Sequence, residues 1–119
     1  MTETIVEIKW PAILKYSNDP ELLYISNQSE WNSDVGLHNF IYEDSDYLID
    51  CSGNMFSLTH KLNSHINPQF QNRQQSLEEI LGLVKAHSAQ LGNCCVAKLY
   101  APSIEDAFDI VKSFTDESS

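Results

Sequence analysis

The chain has 119 residues, 42% of them apolar, and its 17 acidic side chains outnumber 7 basic ones for a formal charge of -10 at pH 7. A chain of this length suits one domain that buries about two-thirds of its unfolded surface, so folding requires no disulfide and no metal. The acidic field repels nucleic acid and anionic lipid, and no apolar run nears the roughly 20 residues that span a bilayer.

The opening "MTETIVEIKWP" lacks a basic n-region and a long apolar h-region, so it does not read as a secretory signal. Three cysteines, an odd number, point to free thiols in a reducing compartment, and the expectation is a cytoplasmic protein. In "TIVEIKW", Val6, Ile8 and Trp10 share one face, the period of a half-buried strand that Pro11 then interrupts. "AILKY" and "ELLYIS" flank the turn formers "SNDP" and predict a strand hairpin or a wide strand connection. Ser29 is placed to cap a short turn of helix through Glu30 and Trp31.

"LHNFIYE" and "DYLIDC" read as β-like segments separated by "EDSD", and "MFSLTH" follows across "SGN". Gly53 supplies a left-handed turn residue there, and Asp50 or Asn54 can bond nearby backbone amides. Residues 60–75, "HKLNSHINPQFQNRQQ", follow neither helical nor strand periodicity and predict a long loop.

"SLEEILGLVKAHSAQLG" predicts a helix. Ser76 and Glu79 have capping-box spacing, Leu77, Ile80, Leu81, Val84 and Leu91 form a helical stripe, and Gly92 suits the C′ position. "NCCVAKLYA" then predicts a strand. A second helix follows, with Ser103 as cap, Glu105 and Asp106 in its first turn, and Ile104, Ala107, Phe108, Val111 and Phe114 on one face. "TDESS" is expected to fray. The order predicts an α+β domain, 1–119, with two helices packed on one face of a mainly antiparallel sheet.

Chemistry is sparse in this pattern. Cys94 and Cys95, adjacent on a strand, point to opposite faces and cannot share a metal. They form no Cys-x₂₋₄-Cys clip and follow a helix instead of preceding one, so they read as core residues. Histidines 60 and 65 have no shared coordination logic, and His87 falls on the apolar stripe. No metal or other cofactor is expected. No G-x-S-x-G elbow, phosphate loop or H-E-x-x-H occurs. Glu43, Asp44, Asp46 and Asp50 make the densest acidic cluster, without the order of a calcium loop. They form either a solvated turn with Asx bonds or a patch for basic residues of a partner. From Cys51 through Leu77 there is no carboxylate, while Lys61 and the one arginine, Arg73, lie inside. Arg73 can hold an anionic group or pair with the protein's own acids, the latter being expected. Trp31, if exposed beside the acidic turn, would be an aromatic anchor.

The arrangement of "KWPAILKY", "ELLYIS", "YLIDCSGNMFSL" and "HSAQLGNCCVAKLYAPSIEDAFDIVKSF" resembles a family of small uncharacterised bacterial proteins, over nearly the whole chain. That resemblance implies a bacterial cytoplasmic single domain and carries no catalytic residues. The functional expectation is a non-catalytic module that binds a basic protein, for instance as an inhibitor covering a basic enzyme, with Asp44, Asp46 and Arg73 as binding residues. The chain is expected to be a monomer or homodimer that touches neither nucleic acid nor membrane. The alternative is a small-molecule binder or thiol-dependent enzyme built on the 60–75 loop with Arg73 and Cys51 or His60.

Overall fold

A computed structural model describes residues 7–92 and 99–117, with side chains through Phe114. The first hairpin forms as expected: β1 (Ala12–Lys15) and β2 (Leu22–Ile25) pair antiparallel from Ala12↔Ile25 to Lys15↔Leu22. β3 (Tyr47–Asp50) pairs with the other edge of β1, and β4 (Asn54–Ser57) returns beside β3 through the expected Gly53 turn. Gly53 has φ 87°, and a Cβ there would lie 2.5 Å from the carbonyl oxygen of Gln75, so both handedness and space require glycine.

Alternation along these strands divides the core in two. Ile13, Ile49 and Met55 face one side, where α3 (Leu77–Gln90) and α4 (Ile104–Glu117) bring Ile80, Val84, Ala107, Phe108 and Val111. These are the two predicted helices on one face. The capping box is present, with the Ser76 hydroxyl accepting from the Glu79 amide and the Glu79 carboxylate accepting from the Ser76 amide, both at 3.1 Å. Ser103 caps α4 by accepting the Asp106 amide at 3.1 Å. Leu91 departs from the expected stripe, being the exposed C-cap of α3. α4 runs on through Glu117, since nothing in Thr115–Glu117 breaks a helix, and Ser118 and Ser119 lie outside the described residues.

The opposite face, carrying Leu14, Leu48 and Phe56, is covered too. Its cover consists of α1 (Gln28–Ser33), α2 (Val35–Asn39) and a small hairpin of β5 (Lys61–Leu62) and β6 (His65–Ile66). Trp31, Leu37, Tyr42 and Ile66 fill that layer. α1 is capped by Asn27, whose side-chain oxygen accepts the Glu30 amide at 2.8 Å, and not by Ser29. The segment expected as the strand "LHNFIYE" is α2 followed by irregular chain, because the Asp34 carboxylate accepts the Leu37 amide at 3.2 Å and starts a helix.

Residues 60–75 are not a loop. Asn63 and Ser64 both have positive φ, 52° and 68°, and close the β5–β6 hairpin. β7 (Gln69–Gln74) then joins the sheet beside β4, giving the order β2-β1-β3-β4-β7. Its Gln and Asn content hid it, because a strand paired along one side needs few apolar residues; Phe70 supplies the buried contact, 5.9 Å from the Phe56 ring. Residues 7–10 form no strand, although the Lys9 carbonyl accepts the Cys51 amide at 3.0 Å. Val6 and residues 93–98 of the expected strand, Cys94 and Cys95 among them, lie outside the described residues, and the described remainder, residues 99–101, is not a strand.

His87 ties α3 to the sheet. Its Nδ1 accepts the Leu22 amide at 2.9 Å, which places the proton on Nε2, and that buried nitrogen has no acceptor among the described residues. Burial lowers the His87 pKa below the ordinary histidine value, with Glu21 and Asp19 opposing part of the shift. The unfolded chain therefore binds the proton first as pH falls through about 6.5. Stability from the neutral ring is complete above that pH and declines below it, at no more than about 1.4 kcal/mol per pH unit. Urea melts between pH 7 and 5.5 should show this decline in the wild type and a shallower one in His87→Gln.

Candidate functional site

The end of β1, the β1–β2 connection and the chain between α2 and β3 enclose a groove of about 440 Å³. Tyr16, Ser17 and Asp19 form one wall; Phe40, Ile41, Glu43 and Asp46 form the other. Two segments far apart in sequence meet here because Asp46 joins them. It is 4% exposed, and its two carboxylate oxygens accept the Ser17 amide and the Glu43 amide, each at 2.6 Å. Charge-assisted bonds of this kind are about twice as strong as neutral ones, and they hold both walls at a set separation.

Aromatic rings link the two walls. Tyr16 lies 5.1 Å from Phe40 and 6.1 Å from Tyr42, nearly parallel to the latter, and Phe40 lies 4.8 Å from Tyr42. The buried Tyr42 hydroxyl donates to the Leu37 carbonyl at 2.8 Å, which anchors the cluster to α2. Burial pushes the Tyr16 and Tyr42 hydroxyls up, more so Tyr42, with nearby Asp46 and Asp34 adding to both. Both phenols stay neutral at physiological pH. Phe40 and Ile41 nonetheless face solvent, 45% and 87% exposed. Around them stand the carboxylates of Asp19 and Glu43, the latter accepting the Ser17 hydroxyl at 3.4 Å. The Lys15 ammonium is turned to the Tyr16 carbonyl at 2.7 Å.

A second hollow of about 150 Å³ adjoins the groove across Phe40 and Ile41, which line both. Buried Tyr42, Leu58 and Ile66 make its floor, and exposed Thr59 and Lys61 its rim.

The three expected binding residues separate. Asp44 is exposed and follows Glu43 in the chain, but it does not line the groove. Asp46 is a buried link between backbone amides, each of its carboxylate oxygens already accepting one of them. Arg73 lies on the edge strand β7 toward the end where Gln74 pairs with Asn54, whereas the groove opens at the Lys15 and Tyr47 end. The expected pairing of Arg73 with the protein's own acids is not found among the described residues. Trp31, the conditional anchor, is 2% exposed and belongs to the core. Phe40 and Ile41 are the exposed apolar side chains near the acidic turn instead. Their signal in the sequence was an adjacent apolar pair followed by Tyr42 and two acids, which the alternation of "LHNFIYE" masked.

Cys51 is half-buried, and its thiol donates to the Trp10 carbonyl at 3.6 Å. Burial pushes the thiol up, and Glu105 and Asp50 push it further. An activated nucleophile requires the opposite shift. Among the described residues no group of three His, Cys, Asp or Glu side chains is placed to hold a metal, and no helix is long and apolar enough to cross a membrane.

A family model described as a protein structure with unknown function matches residues 10–111. The chain is also similar to a solved structure, the NMR structure of the protein from Shewanella Amazonensis, at 28% identity over 90% of each chain with a TM-score of 0.66. No curated protein matches the chain.

Proposed function

The chain belongs to the DUF4144 family, and on that premise we propose that it is a non-catalytic cytoplasmic module that binds a basic protein at the groove between Tyr16 and Phe40. The observation that carries this reading is the pair Phe40 and Ile41, exposed on a preset scaffold in a groove that Asp19 and Glu43 also line, with exposed Asp44 next to Glu43 in the chain. A lysine or arginine side chain over the Phe40 or Tyr16 ring gains about 0.5–2 kcal/mol from the ring quadrupole. The carboxylates around it add attraction and speed encounter with a basic surface. Apolar centre and charged rim together are the usual layout of a protein-binding patch. The raised Cys51 thiol supports a binding role over a thiol-dependent reaction.

The test is calorimetric titration with a Gly/Ser-framed peptide bearing an arginine pair. Glu43→Lys with Asp44→Lys is expected to weaken binding at least tenfold. The same charge change made on the helices, Glu78→Lys with Asp109→Lys, should weaken it less than threefold. Equal losses from both double variants would mean that overall charge, not the groove, attracts the peptide, and the reading would fall.

A further inference from the structure

Resting on that reading, we infer that the groove and the adjoining hollow form one bipartite site, for a partner segment with a cationic side chain next to a leucine-sized apolar one. Phe40 and Ile41 are the ridge between two compartments of opposite character. On one side Asp19 and Glu43 accept a cation beside the Tyr16 and Phe40 rings. On the other side the floor is apolar, and the Lys61 ammonium stands at the rim. A hollow of about 150 Å³ lined by apolar side chains accommodates a small ring or a branched aliphatic group.

Lys61 makes the order of charges selective, because a second cationic side chain in that compartment would meet like charge on leaving water. A partner that used the acidic groove alone would leave Ile41, 87% exposed, uncovered along its far side. A segment lying across the ridge buries it. Successive same-side residues of an extended chain stand about 6.6 Å apart, so a short stretch reaches both compartments.

Three Gly/Ser-framed peptides discriminate. Each carries a central arginine pair, flanked on both sides by leucine, by serine or by lysine, so that chain direction does not matter. The wild type should bind the leucine peptide at least fivefold more tightly than the serine peptide. Thr59→Trp, which fills the hollow at an exposed rim position, should erase that advantage while leaving the serine peptide unchanged. Lys61→Glu should raise affinity for the lysine peptide at least fivefold. Equal affinities for the leucine and serine peptides, with binding still sensitive to Glu43→Lys and Asp44→Lys, would overturn the bipartite site and leave the basic-partner reading standing. Failure of all three peptides to bind would remove both.

Discussion

Asp50→Ala is expected to lower the stability of the protein by at least about 3 kcal/mol, because it strands four donors at once, two of them on buried Asn54 and two part-buried. Asp50 is completely buried in β3. One oxygen accepts the amides of Ser52 at 2.9 Å and Asn54 at 3.0 Å; the other accepts the Lys9 amide at 3.1 Å and the Asn54 side-chain amide at 3.3 Å. A single carboxylate thus closes the β3–β4 turn and fastens the chain entering β1 to the middle of the sheet. Alanine removes the acceptors without supplying others, and each unsatisfied buried amide costs about 1–3 kcal/mol. Asp50→Asn keeps one acceptor oxygen and presents an amino group to the donors at the other, so its loss should fall between wild type and alanine. Denaturant melts give the ordering directly. A loss below about 1 kcal/mol for alanine would show that solvent takes over the acceptor role.

His38→Leu should cost about 2–4 kcal/mol although the side chains are similar in size. His38 is buried in α2, where its Nδ1 accepts the Ile66 amide at 2.9 Å and its Nε2 donates to the Trp31 carbonyl at 2.8 Å. The imidazole is therefore the bond between three covering pieces: α1, α2 and the β5–β6 hairpin. Its ring also lies between those of Trp31 and His65, with centroids 4.8 Å and 4.1 Å away. Leucine fills the space and leaves both backbone groups unpaired. Amide exchange at Ile66 should accelerate more than at Ile49 on the central strand, since the hairpin opens before the sheet does. His38→Gln, which retains an acceptor and a donor, should recover part of the loss. Uniform exchange across both sites would mean that the hairpin and sheet unfold as one unit.

The two folding variants and the binding variants act on different parts of the molecule. Glu43 and Asp44 are surface side chains whose charge can be reversed without disturbing a buried bond. Asp46 does not share that freedom, since loss of its carboxylate would release the Ser17 and Glu43 amides that shape the groove. For this reason an acidic cluster read as a unit from sequence divides into surface charge and structural acceptors.

The amino-acid sequence by itself determined the α+β class, the β3–β4 hairpin, the pairing of β1 with β2 across "SNDP", and the capped starts and most of the buried faces of α3 and α4, though not the exposure of Leu91 or the length of α4. These depend on short-range rules: a capping box links residues three apart, a helical stripe recurs every three or four, and the left-handed Gly53 turn is set by its own backbone conformation. Where local signals were weak or mixed, tertiary contacts decided. β7 is a strand because β4 offers its edge, and Trp31 is buried because a second layer covers the far face of the sheet. The groove exists only through the meeting of Ser17 and Glu43 on Asp46, a contact between distant segments that no periodicity records. That junction leaves Phe40 and Ile41 in solvent, and side-chain exposure is a property of the assembled layers, not of the residues alone.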